Sequence, residues 1–420
     1  MLTTAPRGTK DILPAEVKSW RFLESVLRQV SASYGFKEIR TPIFEHTELF
    51  KRGIGDTTDV VEKEMYTFLD RGDRSITLRP ENTASAMRAY VEHKLYGEQQ
   101  ATKLFYIGSM FRYDRPQAGR LREFHQYGVE SIASASPSAD AETILLALEI
   151  LNKLGLKDWE LKINSVGCPK CRPQYGEQLK EYFRPHLDKL CKDCQKRFNK
   201  NPLRLLDCKN DACHAIAVGA PALEECLCPE CAEHFAGVKK LLDAAGVPYM
   251  VVHSLVRGLD YYTKTAFEVQ YPPLGAQSAV LGGGRYDGLI EQIGGPPTPG
   301  IGFAMGMERV LLALEKQNLL PSQLDGADVF VVATGAEVFL TAFKTVVQLR
   351  HEGLKVEFDL AQGSMKSQMK KANRAQAKQV LIFGEEELAR GSVILRNMAT
   401  AEQKEIAIEN IMKELGEVEK

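Results

Sequence analysis

Apolar positions set the first boundaries. After Pro14, the residues Leu23, Val26, Leu27 and Val30 recur at helical spacing, which predicts a helix over 14–34 stopped at Gly35. The next segment, FKEIRTPIFEHTELF, reads as a strand broken at Pro42, which cannot sit in a paired central strand. YTFLDRGDRSITLRPE predicts a hairpin turning at Arg71-Gly72-Asp73, and TASAMRAYVEH predicts a helix. KLFYIGSMFRYDR and FHQYGVESIAS predict two strands joined by the loop PQAGR, with polar residues alternating along both arms. An amphipathic helix over 139–154 and the strand WELKINSV follow.

The pattern changes at Cys168. From there to about residue 240 the chain is Cys-rich, charged and helical in pattern, which predicts an insertion over 168–240 in a sheet-based domain spanning 1–322. Strand patterns return in PYMVVHSLV, AFEVQY and SAVLGGGRYDG, and a Gly-rich segment leads into a helix in GIGFAMGMERVLLALEKQ. NLLPSQLDGAD reads as a linker. Beyond it the order is strand VFVVAT, helix 336–351, strand KVEFDL, helix 364–376, strands QVLIFG and SVILRN, and helix 402–415. That alternation predicts a small α/β domain over 326–420.

A chain of 420 residues exceeds one ordinary core, in keeping with two or three domains. The formal net charge of -1 excludes a global basic field, so a nucleic-acid partner needs local patches. The N-terminal MLTTAPRGTKDILPAE has no apolar core of a signal peptide, and no 18-residue apolar run occurs, which predicts a cytoplasmic protein without a membrane span. All nine cysteines lie within 168–231, unlike a secreted disulfide scaffold. They form CPKC, CKDC and CPEC, plus Cys208, Cys213 and Cys226. The 19 residues between Cys171 and Cys191 fit zinc-ribbon spacing. Thiols kept for packing are the other reading, and the spacing does not select four ligands.

The chemistry concentrates in FRYDRPQAGRLREFHQYGVE. Arg112, Arg115, Arg120 and Arg122 sit among Phe111, Phe124 and Tyr127. Guanidinium groups make planar, bidentate contacts to phosphate and carboxylate, so arginines beside an aromatic suit a ligand with phosphates and a flat base. A charged exposed arm would account for the arginines alone. It would not account for Gln126 and Glu130, which share a strand face with Phe124. TLRPENTAS adds Arg79, Glu81 and Thr83, with Glu81 suited to an ammonium group. LVRGLDYYTKTAFEV adds Arg257, Asp260, Tyr261 and Tyr262. GGGRYDG allows close backbone approach, and GIGFAMGMER places Arg309 at a helix start. Neither a Walker A loop nor a G-x-G-x-x-G fingerprint is present. In SMKSQMKKANRAQAK, Lys366, Lys370, Arg374 and Lys378 fall at i, i+4 spacing on one helical face, either solvated or facing an RNA backbone.

Together these motifs resemble the class II aminoacyl-tRNA synthetases. GFKEIRTPIFE resembles motif 1, FRYDRPQAGRLREF motif 2 and GIGFAMGMER motif 3. LVRGLDYYTKTAFEV and GGGRYDGL resemble the signatures of the histidyl-tRNA synthetases. The resemblance covers essentially the whole chain. It implies an α+β catalytic domain, an antiparallel sheet flanked by helices, with a helical insertion and a C-terminal α/β anticodon-binding domain. It implies a homodimer that uses ATP with Mg2+, L-histidine and the histidine tRNA, and forms histidyl-adenylate before transfer. By motif, Arg112 and Arg257 would be catalytic. Glu81, Thr83, Arg112, Gln126, Glu130, Arg257, Tyr261 and Tyr262 would bind histidine. Arg112, Arg120, Phe124 and Arg309 would bind ATP, and Arg115 and Gln117 would reach the tRNA acceptor end. One departure is Asp114, where the family usually carries Glu, so a contact to the adenine amino group is in question. Two other functions fit parts of the pattern: a silent paralogue acting as a histidine-sensing regulatory subunit, and a zinc-ribbon nucleic-acid module on a scaffold. The first would be expected to lose motif residues and the C-terminal domain. The second would be expected to carry a basic field around the cysteines, where both signs are mixed.

Overall fold

The computed structural model describes residues 3–55, 58–97, 101–208, 210–321 and 326–416. The expected linker over 318–328 includes residues 322–325, which lie outside them. The chain divides into two compact units, Met1–Leu320 and Pro321–Lys420.

The first unit is built on an eight-stranded sheet. Its strands lie side by side in the order Lys37–Glu38, Thr102–Phe111, Glu123–Ile132, Gly300–Gly306, Ala279–Arg285, Thr263–Gln270, Glu160–Ser165, Met250–Val251. The six central strands pair antiparallel, and only the two short edge strands pair parallel. One face carries the core. Helix Pro14–Ser33 contributes Leu23, Leu27 and Val30, and helix Pro137–Lys153 contributes Ile144, Leu148 and Leu151. The latter is buried on nearly every side, so it is a core helix rather than the amphipathic one expected. Helix Pro229–Ala244 packs its Phe235, Val238 and Leu242 into the same core. It crosses the boundary expected at residue 240, so the separately packed part of the insertion ends near Cys228.

An ionic node ties these layers. Arg285 and Asp140 are fully buried and paired, and His234 Nε2 lies 2.8 Å from Asp140 Oδ2. Burial works against the Asp140 charge, but His234 and Arg285 hold its carboxyl below the usual range. A three-stranded sheet, in the order Phe44–His46, Ser75–Leu78, Tyr66–Leu69, flanks the large one.

Three further local expectations differ from the structure. Glu48, Leu49 and Phe50 lie in a helix, Thr47–Ile54, not a strand; its first residue Thr47 is buried and bonds Ser75 and Thr77. Of PYMVVHSLV only Met250–Val251 is strand. Beyond it the Asn164 side chain donates to the carbonyls of His253 and Leu255, at 3.1 and 3.0 Å, in place of a ladder. In the second unit, residues 402–415 are not one helix: Gln403–Ala407 is a strand paired with Ser392–Asn397, followed by short helical turns. That unit has a five-stranded sheet in the order Val356–Phe358, Val329–Ala333, Gln379–Phe383, Ser392–Asn397, Gln403–Ala407, parallel over the first three strands and antiparallel thereafter.

Candidate active site

The face of the large sheet opposite helices Pro14–Ser33, Pro137–Lys153 and Pro229–Ala244 opens into a cavity of about 470 Å³. Strand Glu123–Ile132 sends Phe124, Gln126 and Glu130 into it, as alternation requires. The two hairpin strands stop at Phe111 and start at Glu123, so Arg112, Arg115, Arg120 and Arg122 all lie in the connecting loop rather than on the arms. Arg112 and Arg120 still line the cavity. Arg112 is fixed by its Nε bond to the Pro80 carbonyl at 2.8 Å, and its guanidinium lies 5.5 Å from the Phe124 ring. Arg309 enters from helix Met307–Lys316, where three contacts hold its planar fork: Gly119 O at 3.0 Å, Ala279 O at 2.8 Å and Gln277 Oε1 at 3.0 Å. Burial, followed by the nearby Arg120 and Arg112, lowers its pKa against the opposing pull of Glu268 and Glu308.

The opposite end is walled by carboxylates and phenols. Glu130 is buried, and accepts from Tyr286 Oη at 2.6 Å and Tyr106 Oη at 3.2 Å. Burial raises it from 4.5 to about 8. Its Cα partner across the sheet is Gly302; a Cβ there would meet Glu130 Oε2 at 2.1 Å, so this glycine makes room for the carboxyl. Glu81 is buried and accepts from the backbone N–H of Thr83 at 2.7 Å and Ala84 at 3.0 Å, which secures the start of helix Thr83–Glu92 while keeping the carboxylate at the cavity wall. Burial raises its pKa as well. Tyr261 and Tyr262 complete this wall.

Arg257 crosses the floor. Its NH1 pairs with Glu268 Oε2 at 2.6 Å, and its guanidinium lies 6.0 Å from the Tyr262 ring. A Cβ at Gly282 would meet both terminal nitrogens at 2.4 Å, so this glycine of GGGRYDG lets the guanidinium lie flat on the strand. Burial opposes the Arg257 charge, but Glu268 and Tyr262 outweigh it and its pKa is raised. Its ion-pair partner is therefore Glu268, eleven positions on and on the neighbouring strand Thr263–Gln270. Asp260 Oδ1 accepts from Asn201 at 2.9 Å. Gly258, which follows Arg257, does not adopt a positive φ. Two polar atoms among these residues, Arg257 Nε and Gln126 Oε1, are buried and find no hydrogen-bond partner among the described residues.

The cavity thus gathers Glu81, Thr83, Arg112, Arg120, Phe124, Gln126, Glu130, Arg257, Tyr261, Tyr262 and Arg309. Asp114 also lines it, but its carboxylate pairs with Arg120 and accepts from the Arg115 N–H at 2.6 Å. Arg115 and Gln117 are exposed outside it, and Gln117 and Arg120 exchange backbone bonds across the loop tip at 3.0 and 2.9 Å. Arg79 is buried elsewhere and donates to the carbonyls of Ser109 and Thr41 at 2.9 and 3.1 Å, a structural task. Arg122 stacks on Tyr113 at 3.9 Å. Sequence reasoning missed Glu268, Tyr286, Tyr106 and Glu308. The Glu308 carboxylate accepts from the His125 backbone N–H at 2.8 Å and so joins the motif 3 helix to the hairpin. Glu268 had a visible signal, a charge within the apolar strand AFEVQY.

Cations at one end, carboxylates and phenols at the other, and a stacking ring between them suit an anionic nucleotide beside a small amphoteric ligand. The histidyl-tRNA synthetase sequence profile matches residues 8–171 and 196–310, and an anticodon-binding-domain profile matches 328–418. The chain belongs to the histidyl-tRNA synthetase family. The stretch the family profile passes over, 172–195, falls inside the Cys-rich insertion. Relatives in this family include the histidine–tRNA ligase of Desulforamulus reducens, 55% identical over 412 residues and 98% of both chains. That of Moorella thermoacetica is 56% identical over 422 residues, covering 99% of this chain and 100% of the relative. The crystal structure of apo S. aureus histidyl-tRNA synthetase aligns with a TM-score of 0.84 at 41% identity, over 98% of this chain and 99% of that one. The class II architecture, a mostly antiparallel sheet with a separate anticodon-binding unit, is that of the histidyl-tRNA synthetases.

Proposed function

We propose that this cavity activates L-histidine with ATP and then passes the histidyl group to the 3′ end of the histidine tRNA. The observation that carries the reading is the pair of buried, unpartnered polar atoms, Arg257 Nε and Gln126 Oε1, between the arginine end and Glu130. They suit the carboxylate and ammonium of one amino acid, with Glu81 and Thr83 beside the ammonium. Glu130 and Tyr262 face the imidazole. A site that hydrogen-bonds both ring nitrogens rejects apolar analogues strongly, because their entry leaves buried polar groups unpaired.

In the first step a histidine carboxylate oxygen attacks the α-phosphorus, and the bond to the pyrophosphate oxygen breaks. Negative charge grows on the α-phosphate oxygens. Arg112 and Arg257 are preorganised there by Pro80 and Glu268, so they stabilise the transition state without reorganising. Arg309 and Arg120 hold the outer phosphates, and Phe124 stacks on adenine. Asp114 is committed to Arg120, which makes it a support for the phosphate grip rather than a reader of the base. In the second step a ribose hydroxyl of the tRNA attacks the acyl carbon and AMP leaves; Arg115 and Gln117, exposed on the loop, face the incoming RNA. Magnesium bound with ATP would offset the charge of the phosphates as the carboxylate approaches. Among the cavity carboxylates, Asp114, Glu268 and Glu308 are each already engaged by a cation or a donor. None of the nine cysteines lines the cavity, so a structural zinc would take no part in either step.

We place the protein in the cytoplasm as a homodimer. No helix among the described residues is long and apolar enough to cross a membrane. Phe44 and Phe68 are about half exposed, 56% and 49%, on a shared face of the small sheet beside Pro42, which suits a subunit contact. No observation favours the regulatory reading or the nucleic-acid module. Charging assays test the proposal: the chain should form a histidine ester on tRNA with one AMP per ester. Absence of histidine ester with cognate tRNA would overturn it.

A further inference from the structure

The cysteines sort into two groups of four and one remainder. Cys168, Cys171, Cys228 and Cys231 bring their sulfurs within 4.8 Å of one another, and so do Cys191, Cys194, Cys208 and Cys213. Cys168 Sγ lies 3.6 Å from Cys171 Sγ and 3.9 Å from Cys228 Sγ; in the second group Cys191 Sγ lies 3.9 Å from Cys208 Sγ. No disulfide is formed, and bonded sulfurs would be about 2.0 Å apart. Four thiolates around zinc at about 2.3 Å define a tetrahedron with edges of about 3.8 Å. The spacing therefore fits an ion at each centre and no bond between sulfurs. Backbone N–H groups already point at the sulfurs, Cys228 N to Cys171 Sγ and Cys191 N to Cys213 Sγ, both at 3.2 Å. Such donors stabilise thiolate.

We propose that the insertion holds two structural zinc ions, one in each tetrathiolate cluster. The sites are nested in sequence. The outer one joins the start of the insertion to its end, and the inner one lies wholly between. The ribbon pairing of CPKC with CKDC, suggested by spacing, is thereby replaced: CPKC joins CPEC, and CKDC joins Cys208 and Cys213. Both clusters are closed, without an open ligand position, which suits a structural rather than a catalytic ion.

Energetics point the same way. Between Cys168 and Cys228, 60 positions apart, the insertion has its own small core around Tyr175, Leu179, Phe183, Phe198 and Leu205. A core that small is marginal without a staple. The insertion also buttresses the histidine wall. Arg172, next to Cys171, donates to the carbonyls of Val166 and Tyr262; Asn201 holds Asp260; and Arg204 reaches the Arg257 carbonyl at 3.4 Å.

Elemental analysis of the purified full chain should give two zinc ions per chain. A thiol-blocking mercurial should release the same two into a chromogenic zinc indicator, which requires no variant. Cys168→Ser with Cys228→Ser, and Cys191→Ser with Cys208→Ser, should each remove one, while Cys226→Ser should keep both. Zero or one zinc released from the unaltered chain overturns the proposal, even if a serine variant fails to fold. Iron in place of zinc overturns the ion assigned. Removing the metal should also speed amide hydrogen exchange over 257–262, and unchanged exchange there overturns the buttressing.

Discussion

Arg257 concentrates the residue-scale account. It is held flat by Glu268 and given room by Gly282, so its charge is in place before the reaction starts. Arg257→Ala should lower the rate of adenylate formation by about 10²–10³-fold, the scale of one preorganised donor, with a far smaller change in apparent ATP affinity. Arg257→Lys should recover part of the rate, because a point charge replaces only part of a planar fork. Single-turnover adenylation per folded active site is the measurement, and a loss below about fivefold would contradict the assignment. Glu130 supports a second expectation. Burial lifts it from 4.5 to about 8, so between those values the folded chain keeps a proton that the unfolded chain releases. Its contribution to stability therefore falls as pH rises from about 5 to 8. Glu130→Gln removes that titration. The variant should show a flatter melting-temperature profile across this window and melt above the parent near pH 8 and beyond, a stability difference on the order of a few kcal/mol. Parallel profiles would contradict it. Both residues were legible as motif members. Their partners were not, because Glu268, Tyr286 and Tyr106 reach them through sheet register, which no local pattern encodes.

At the scale of elements, legibility followed how local the determining interactions are. Helices with their own stripe, such as Pro14–Ser33 and Ala336–His351, fall where periodicity placed them. Gln403–Ala407 does not, because its conformation is set by pairing with Ser392–Asn397 after a tight turn, in which Asn397 Oδ1 accepts from Ala399 and Thr400 N–H at 2.8 and 3.1 Å. The cysteine clusters escaped for the same reason, since closing the outer one needs ends 60 positions apart. The basic helix is shorter than its spacing suggested. It spans Met365–Arg374, so Lys366, Lys370 and Arg374 are exposed along it, while Lys378 lies beyond its end and pairs with Asp328 at 2.8 Å. Neutralising the three helical cations to Ala should weaken tRNA binding and reduce the slope of log affinity against log salt by about 2–3. Histidine activation without tRNA should be unchanged. Filter binding across a salt series measures the first and pyrophosphate exchange the second; an unchanged slope would place the RNA elsewhere.

The whole molecule separates two tasks. Every cavity residue lies in the unit ending at Leu320, and the basic helix lies in the unit beginning at Pro321. A chain truncated after Pro321, with its fold verified by circular dichroism, should still form adenylate but should charge tRNA poorly. Undiminished charging would contradict that division. The fold class and the order of the two units were legible from the switch between strand-rich and alternating patterns. Most of helix Pro229–Ala244, as far as residue 240, reads as part of the insertion because Cys228 and Cys231 mark its start, yet its apolar face belongs to the main core. The central claim is that one cavity, with arginines at one end and Glu130 at the other, joins histidine to the α-phosphate of ATP. Pyrophosphate exchange into ATP, in the absence of tRNA, tests it most directly. The account predicts exchange that requires histidine and is supported by no other proteinogenic amino acid at comparable concentration. Exchange that is absent, or that proceeds equally without histidine, would contradict it.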